Sequence, residues 1–322
     1  MSASIGAVIV TWNSADEIAA CIEALDRAGL REIVVVDNGS TDNTRNIAAS
    51  YPQVKLLYYP ENLGFSGGVN RGVMALASEF ALILNPDTVV QGGLSEMAAA
   101  AGGGAAGGML SGLDGALQSG FAIRRLPTPA TLIFETLGFN RLFPGNPVNR
   151  RYRCAGFDAS KAQEVEQPPG AFLMVKRDIF ERLGGMDEQF WPVWFEDVDF
   201  CARLLDHGFS IRYTPLAQAK HAGGRSIRKI EWSFKELTWY GSLLRYAAKR
   251  FGWCSRCLVG LAVAAASVLK MFSRIIFRPE SARTPGVYVS VLRLALVSLI
   301  KGRVDTLRPG RQVEGPDHID NA

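Results

Sequence analysis

Asp87 follows a run of five apolar residues, Phe80 to Leu84, in the stretch FALILNPDTVV. Runs of this length bounded by turn residues are typical of buried strands, and Pro86 cannot donate a backbone hydrogen bond to a continuing ladder. We therefore expect the chain to leave a sheet at Asn85. Asp87 then has two interpretations. Its side chain could form an Asx turn, or a carboxylate could be needed where the strand reaches the surface.

A second aspartate, Asp37, follows the apolar strand residues of VVVDNGSTD. Its carboxylate could accept an N–H group while main-chain groups of the neighbouring Asn38 and Ser40 supply complementary contacts. A pyrimidine imide presents that pattern of donor and acceptors. Turn formation by the same residues is the alternative.

The motif ENLGFSGGVNRG places glycines before and within the start of a helix. Glycine lets a ligand approach backbone N–H groups closely, and the N-terminus of a helix favours anions. Arg71 adds a fixed positive charge. The first strand–helix turn, TWNSAD, lacks the G-x-G-x-x-G of a dinucleotide site, and the sequence contains no Walker P-loop. Any phosphate must therefore be held in another way.

An acidic pair, Glu196 and Asp197, lies in the block WFEDVDFCARL. Carboxylates are favoured in the first turn of a helix by its dipole, which is the structural interpretation of this block. His221 by itself is more often a surface or core histidine than a ligand. Trp191 and Trp194 are suited to stacking on a sugar and equally to core packing.

The first ninety residues alternate between strand and helix patterns. Strands are predicted at SIGAVIVTWN, EIVVVDNGS, VKLLYYP and FALILNPD, with helices between them. This alternation predicts right-handed crossovers and a parallel sheet, whose ligands bind outside the carboxyl ends of the strands. Polar clusters are therefore expected along one rim, at Thr11 to Asn13, Asp37 to Ser40, Asn62 to Gly68 and Asn85 to Asp87.

The elements that follow are less regular. Ala98 to Gly108 predicts a helix end and then a flexible loop, because clustered glycine costs backbone entropy inside an element. Gly120 to Glu166 predicts long loops beside the rim. The block PPGAFLMVKRDIFERLGGMDEQFW predicts a strand, a helix that opens near Arg177, and a Gly-Gly stop, and SIRYTP predicts a short strand.

Length and composition are those of a folded globular chain. The 322 residues are 48% hydrophobic and can bury a large core. Five cysteines, an odd number, and a beginning without the features of a signal peptide favour a reducing cytoplasm. Neither an aromatic-interleaved platform nor a reading-helix motif accompanies the basic residues, so nucleic acid is not expected as a partner.

The C-terminal third is basic. Arg225 to Arg311 holds 17 Lys+Arg against 4 Asp+Glu, a net of +13, which leaves −9 for the rest of a chain whose total is +4. Two apolar runs lie within it, Cys257 to Phe277 and Val287 to Ile300. The uncharged part of the first is 13 residues, whereas a spanning helix needs roughly 20. Peripheral or monotopic contact with an anionic membrane surface is favoured, and a helical pair packed on the body is the alternative.

Seven blocks in this order resemble the family-two glycosyltransferases of GT-A fold, which use sugar nucleotides. The blocks are VIVTWN, VVVDNGSTDNT, ENLGFSGGVNRG, LILNPD, PGAFLMVKRDIFERLGGMDEQFW, WFEDVDFCARL and KHAGGRS. Within that family the sequence is similar to bacterial rhamnosyltransferases that act on a polyprenyl-diphosphate-linked amino sugar. The resemblance implies an α/β GT-A fold, Rossmann-like with a mainly parallel sheet, and a C-terminal helical, membrane-associating extension.

The resemblance also implies a metal and nucleotide site. Asp87 and His221 would bind a divalent cation, Mg²⁺ or Mn²⁺. Asn85 replaces the first Asp of the family's metal motif, which removes one negative charge. The residues that would contact the nucleotide sugar are Thr11, Asn13, Asp37, Asn38, Ser40, Asn62, Gly64, Phe65, Gly67, Asn70, Arg71 and Asn85.

The remaining residues carried over by the resemblance concern catalysis and the acceptor. Asp197 stands at the position of the catalytic base, with Glu196 beside it, and Trp191 and Trp194 would contact the acceptor. An inverting transfer needs such a carboxylate to remove the proton of the acceptor hydroxyl as the anomeric carbon becomes cation-like.

The implied reaction moves a deoxyhexose, L-rhamnose from dTDP-L-rhamnose, to a polyprenyl-diphosphate-linked acceptor in cell-envelope polysaccharide biosynthesis. Its place would be the cytoplasmic face of the bacterial inner membrane. A UDP-sugar donor, a hexose or galactofuranose, stays open because thymine and uracil present the same imide edge. A non-catalytic sugar-nucleotide-binding assembly partner is the alternative of another class. The expected domains are a GT-A domain at 1–226, a basic, apolar helical membrane-associating region at 227–311, and a flexible tail at 312–322.

Overall fold

The computed structural model describes residues 3–224, 229–277 and 284–304. The predicted tail at 312–322 lies outside the described residues. The strands are β1 Ile5–Thr11, β2 Glu32–Asn38, β3 Val54–Tyr59, β4 Phe80–Leu84, β5 Thr88–Gly92, β6 Gly104–Ser111, β7 Gln163–Glu164, β8 Phe172–Lys176 and β9 Ser210–His221. The helices are α1 Ile18–Arg27, α2 Thr44–Ala49, α3 Gly64–Met74, α4 Leu94–Ala101, α5 Pro129–Thr136, α6 Phe139–Leu142, α7 Pro147–Tyr152, α8 Arg177–Arg182, α9 Glu196–Asp206, α10 Trp232–Arg250, α11 Trp253–Phe277 and α12 Thr284–Lys301.

The first four strands form a parallel half-sheet in the order β3-β2-β1-β4. Each of β1, β2 and β4 is buried on both faces, because helices cover the sheet from both sides. Ile9 and Val35 pack in one core cluster with α1, whereas Val8 and Val34 pack in a second cluster with α3. The predicted alternation of strand and helix is confirmed, and all four carboxyl ends reach one rim.

The second half of the sheet changes direction. β8 pairs antiparallel with β4 and with β6, and β9 runs parallel to β6 and antiparallel to β5 and β7. The sheet is therefore mixed, although the half formed by β1 to β4 is parallel. β9 extends to His221, so the prediction of a short strand at SIRYTP was too short. The polar residues of this extension alternate with buried ones, which is the pattern of a half-buried strand.

The glycine-rich segment at 98–108 is not a flexible loop, and that prediction was wrong. α4 ends at Ala101 and β6 begins at Gly104, inside the sheet. The glycines are present because neighbouring elements come close. A Cβ on Gly108 would lie 2.4 Å from the Phe172 ring and 2.6 Å from the carbonyl oxygen of Ala217. Close packing, and not flexibility, explains this composition.

The prediction of long loops between Gly120 and Glu166 was also wrong in part, because three short helices, α5 to α7, lie there. α5 and α7 begin alike. Thr128 and Asn146 cap them through side-chain oxygens that accept the backbone N–H groups of Thr131 and Asn149, and a proline follows each cap. These are standard signals for the start of a helix. The helices are so short that their apolar periodicity adds no support for predicting them.

The three C-terminal helices pack on the body of the chain. One core cluster contains residues of α10, α11 and α12 together with Leu132 of α5 and Val198 of α9. Phe190, which precedes α9 in the chain, belongs to the same cluster. Among the described residues, one helix is long and apolar enough to cross a membrane, over Trp253–Ser273 of α11 with a mean hydropathy of 1.6. The prediction that this run is too short to cross rests on its 13 uncharged residues alone, whereas the apolar helix continues on both sides of them. A third of this window is buried within the chain.

Gly108→Ala is expected to lower the free energy of unfolding by about 1–3 kcal/mol, because the added methyl group overpacks the space between Phe172 and Ala217. Chemical denaturation of the two proteins measures the difference. Gly145→Ala is the matched control, since a Cβ there meets no atom within 4 Å. Equal stability of the Gly108 variant and the wild type would contradict the close packing.

Candidate functional site

A cavity of about 490 Å³ lies at the carboxyl ends of β1, β2 and β4. Polar side chains and aromatic rings from widely separated parts of the sequence form its wall. Seven of the residues predicted from the sequence line this first cavity: Thr11, Asn38, Asn62, Phe65, Asn85, Asp87 and His221. The rim expected from the strand pattern is therefore a concave site, of the size that binds small molecules.

Strand pairing brings Asp87 and His221 together. Thr88 at the start of β5 is the partner of His221 at the end of β9, and the backbone N–H of Ala222 donates to the Asp87 carbonyl at 3.1 Å. Both side chains are buried, and His221 Nε2 lies 3.4 Å from Asp87 Oδ1. The antiparallel ladder thus fixes a carboxylate beside an imidazole on the wall of the cavity.

Gln118 fixes the tautomer of His221. Its Nε2 donates to the His221 carbonyl at 2.8 Å, so its Oε1 faces His221 Nδ1 at 3.1 Å as an acceptor. The Phe121 ring stacks on the imidazole, with centroids 5.3 Å apart. Burial lowers the pKa of His221, and the Asp87 carboxylate opposes this effect. A neutral ring that donates from Nδ1 leaves the Nε2 lone pair directed at Asp87.

The Asp87 and His221 pair has the character of a metal site. His221 Nε2 is buried without a hydrogen-bond partner, opposite a carboxylate oxygen that also accepts. Two facing acceptors are costly without a cation between them. In the described part of the chain, no third His, Cys, Asp or Glu joins them. A cation here would take its other ligands from water and from oxygens of a bound molecule, as divalent cations do at phosphate sites.

Asp37 organises the loop after β2. It is fully buried, and its carboxylate accepts from the Thr11 hydroxyl at 3.0 Å, the Ser40 N–H at 3.0 Å and the Ser40 hydroxyl at 2.5 Å. Asn13 accepts from the backbone N–H groups of Thr41 and Asp42. Of these residues Thr11 lines the first cavity. The others hold the loop that surrounds it.

The start of α3 contributes backbone and aromatic surface. Asn38 Nδ2 donates to the Gly64 carbonyl at 3.0 Å, while Asn38 Oδ1 is buried without a partner. Asn62 Oδ1 accepts from the Gly64 N–H at 2.8 Å. Gly64 has a φ of 77°, and a Cβ there would lie 2.7 Å from the Trp191 ring. At Gly67 a Cβ would lie 2.9 Å from Leu63. These glycines are explained by turn geometry and close packing.

Asn70 and Arg71 face the loop after α8. The Asn70 amide exchanges hydrogen bonds with the backbone of Met186, and Arg71 Nη1 lies 2.5 Å from Glu188 Oε1. Neither residue lines the first cavity. The structure therefore gives both a contact that anchors α3, and their predicted role toward the nucleotide stays a prediction.

A second cavity, of about 300 Å³, adjoins the first and shares the residues Phe65, Asn85, Phe121 and Val193 with it. Glu196 and Asp197, at the start of α9, line its wall. Asp197 Oδ2 accepts from the Gly170 N–H at 3.0 Å and Oδ1 from the Val198 N–H at 2.8 Å. The Asp197 carboxylate is thus held by backbone donors at the edge of an open space.

Glu196 differs from its neighbour. It is 5% exposed, and its Oε2 has no hydrogen-bond partner. Burial raises the pKa of Glu196 well above its usual range, and the adjacent Asp197 carboxylate raises it further. A carboxyl group of this kind keeps its proton to a higher pH than an exposed carboxyl group does. Of the acidic pair, Asp197 is therefore the one suited to accept a proton.

The two tryptophans that were predicted to contact the acceptor lie in different environments. Trp194 lines the second cavity, in a backbone segment where it and Phe195 have φ values of 80° and 71°. Trp191 lines neither cavity. Its ring is buried against Phe234, and its Nε1 donates to the Asn62 carbonyl at 2.8 Å. Trp191 therefore packs the loop before α9 onto the start of α3.

An ionic network anchors α9. Asp199 is fully buried and pairs with Arg203 at 2.9 Å and with Lys249 of α10 at 2.8 Å. Lys249 also reaches Asp187 at 2.6 Å. Asp199 thus has a structural role, and α10 helps to hold the helix that begins with Glu196.

Several residues of both cavities were missed from the sequence. Gln118, Ser119 and Phe121 line the first cavity from the segment after β6, and Arg124 and Arg153 line the second. No periodicity or motif marks them, because they lie in irregular chain between short elements. The sequence predicts only that the stretch from Gly120 to Glu166 lies beside the rim.

The fold is that of known nucleotide-sugar transferases. The structure is similar to that of the mannosyltransferase PcManGT from Pyrobaculum calidifontis in complex with GDP-Man and Mn²⁺, with a TM-score of 0.51 and 16% identity over 93% of this chain and 88% of that one. It is also similar to GalNAc-T7 with UDP, GalNAc and Mn²⁺, with a TM-score of 0.55 and 11% identity over 93% and 57%. The predicted GT-A class of fold is confirmed.

The chain belongs to glycosyl transferase family 2, whose profile matches residues 7–184, more than half of its length. A further profile, described as the N-terminal domain of galactosyltransferase, matches residues 151–223. The predicted family is confirmed, and the chain is a glycosyltransferase.

Curated relatives include rhamnosyltransferases. The N-acetylglucosaminyl-diphospho-decaprenol L-rhamnosyltransferase of Mycobacterium tuberculosis is 28% identical over 267 residues, which cover 76% of this chain and 85% of the relative. The O-antigen chain rhamnosyltransferase WbaN of Salmonella anatum is 24% identical over 62% and 58%. The low-salt glycan biosynthesis hexosyltransferase Agl10 of Haloferax volcanii is 24% identical over 71% and 70%. The predicted resemblance to bacterial rhamnosyltransferases is confirmed.

Gln118→Met is expected to weaken Mn²⁺ binding in the presence of a nucleoside diphosphate by about 10- to 100-fold, because the imidazole of His221 loses the acceptor that fixes its tautomer. Electron paramagnetic resonance of free Mn²⁺ measures the affinity. Gln91→Met, at an exposed site on β5, is the control. Unchanged affinity in the Gln118 variant would rule out this orienting role.

Glu196→Gln is expected to flatten the fall of stability with rising pH. The pKa of Glu196 is above its ordinary value of 4.5 in the folded chain, so the unfolded chain loses this proton first. The contribution of Glu196 is full below the unfolded pKa and is lost toward the folded pKa, by at most about 1.4 kcal/mol per pH unit. Denaturant titrations at several pH values measure the slope.

Glu96→Gln, which replaces an exposed carboxyl group on α4, serves as the control and should keep the wild-type slope. If the Glu196 variant also keeps that slope, the pKa of the buried carboxyl group is not raised in the folded chain.

Proposed function

We propose that this glycosyltransferase is an inverting enzyme that transfers L-rhamnose from dTDP-L-rhamnose to a polyprenyl-diphosphate-linked sugar in cell-envelope polysaccharide biosynthesis. The observation that carries the proposal is the pair of adjoining cavities, one with Asp87 and His221 and the other with Asp197. A sugar bound across their shared wall would have a cation site on one side and a carboxylate on the other. The mycobacterial relative supports the choice of donor sugar and acceptor.

Asp87 and His221 would hold a divalent cation, Mg²⁺ or Mn²⁺, and the Mn²⁺ in two structural neighbours supports this choice. The cation, when bound, would offset the negative charge that develops on the departing diphosphate. Gln118 keeps the Nε2 lone pair of His221 available for it. The first cavity would bind the nucleoside, with Thr11, Asn38 and Asn62 on its wall.

Asp197 would act on the acceptor. Its two backbone hydrogen bonds orient the carboxylate, which would take the proton of the attacking hydroxyl as the new glycosidic bond forms. The raised pKa of Glu196 disfavours a second negative charge beside Asp197. The acceptor sugar would occupy the second cavity, where Trp194 offers an aromatic face.

The C-terminal helices would place the enzyme on the anionic cytoplasmic surface of the inner membrane. On α11, the side chains of Trp253, Leu258, Leu261, Leu269 and Phe272 are each more than half exposed. Such an apolar face suits the boundary between lipid headgroups and acyl chains. Peripheral or monotopic placement is favoured over a crossing, because Lys270 within the same window donates to Tyr240 of α10 at 2.7 Å.

Asp197→Asn is expected to keep donor binding and to lower transfer by about 10²- to 10⁴-fold, since the amide cannot accept the hydroxyl proton. Thermal shift with dTDP-L-rhamnose and Mn²⁺ measures binding, and radiolabelled transfer to a lipid-linked acceptor measures turnover. Running UDP-sugars in the same shift assay identifies the alternative donors.

Asp178→Asn, an exposed change on α8, is the matched control and should retain full activity. Wild-type turnover by the Asp197 variant would remove the base assignment. Donor binding by the wild type without transfer to any acceptor would instead favour the non-catalytic binder.

A further inference from the structure

Two arginines of the second cavity converge on one atom. Arg124 Nε donates to the Gly120 carbonyl at 3.0 Å, and Arg153 Nη1 donates to the same oxygen at 3.4 Å. Both side chains line the cavity beside Glu196 and Asp197. A single carbonyl therefore holds two guanidinium groups side by side on the cavity wall.

Ion pairs within the chain neutralise these two arginines only in part. Glu135 Oε1 is 3.9 Å from Arg153 Nη2, while Glu135 Oε2 accepts from Asn140. Arg124 forms no ion pair within the described part of the chain, and its guanidinium lies over the rings of Phe121 and Tyr152. Two adjacent like charges repel each other, and the repulsion is relieved when an anion binds between them. Guanidinium groups are well matched to the oxygens of phosphates.

The cavity also adjoins the proposed membrane face. Thr131, Leu132 and Glu135 of α5 line it, and Leu132 lies in one core cluster with Val259 and Val263 of α11. α11 is the helix whose apolar side chains are exposed. A volume of about 300 Å³ holds a sugar and its phosphates, whereas a long prenyl chain must leave the cavity. The side of the cavity formed by α5 is the side on which α11 packs.

We infer that Arg124 and Arg153 bind the diphosphate of the lipid-linked acceptor and so position its sugar hydroxyl at Asp197. This inference rests on the proposed function, since it assigns the acceptor to the second cavity. It predicts that the enzyme distinguishes a diphosphate-linked sugar from the same sugar on a neutral alkyl group. The discrimination would come from charge-assisted hydrogen bonds made by these two side chains.

The test compares two acceptors, N-acetylglucosamine linked through a diphosphate to a short prenyl chain and the octyl glycoside of N-acetylglucosamine. In Arg124→Gln and in Arg153→Gln, KM for the diphosphate acceptor is expected to rise by about 10- to 100-fold. KM for the octyl glycoside and KM for the donor are expected to stay at their wild-type values. Arg124→Lys keeps the charge without the planar fork and is expected to recover part of the loss.

Arg151→Gln is the matched control, because Arg151 is an exposed residue of α7 that does not line the second cavity. Thermal denaturation of each variant establishes that it is folded. Equal losses with both acceptors would show a merely structural role and overturn the inference, and a rise in the donor KM alone would assign the arginines to the donor and overturn it as well. Transfer by the wild type to neither acceptor would instead refute the proposed function.

Discussion

The site depends on the reversal of chain direction at β8. Because β8 runs antiparallel to β4, its beginning lies at the same rim as the end of β4. The Ala171 carbonyl accepts from the Asn85 N–H and from the Thr88 hydroxyl, and the neighbouring Gly170 N–H donates to Asp197. Two consecutive residues thus join the strand end that carries Asp87 to the helix that carries Asp197. The separation of the two cavities is fixed by backbone hydrogen bonds, which tolerate little movement.

Buried polar atoms without hydrogen-bond partners lie on the walls of both cavities, among them His221 Nε2 and Glu196 Oε2. Native chains rarely leave such atoms unpaired, because each lost hydrogen bond costs about 1–3 kcal/mol. Hydrophobic packing around the sheet and the Asp199 network stabilise the fold enough to hold these groups in place. The same arrangement makes the site receptive, since a cation at His221 or a hydroxyl group at Glu196 would satisfy the unpaired atom.

The C-terminal helices contribute to the site as well as to the surface. Lys249 of α10 pairs with Asp199 and so holds α9, while α11 packs against α5 on the wall of the second cavity. Contact with a lipid surface would therefore act on elements that line the second cavity. This arrangement gives a physical reason for one chain to combine the sheet with an apolar, basic extension.

Much of the first cavity could be predicted from the sequence, because the period of apolar residues sets the first four strands and their shared rim. Thr11, Asn38, Asn62 and Asn85 were placed there by that logic. The glycines of β6 led to the wrong prediction of a loop. They are needed for close contact with Phe172 and Ala217, which are distant in the sequence.

The sequence by itself thus determined the class of fold, the parallel half of the sheet and the family, since these follow from local periodicity and ordered motifs. Only the tertiary structure decided which polar residues share a cavity. It brought Gln118 to His221, joined Arg124 to Arg153, and turned Asn70 and Trp191 toward packing contacts. The physical reason is that strand register and helix packing, which depend on the whole core, set the directions of these side chains.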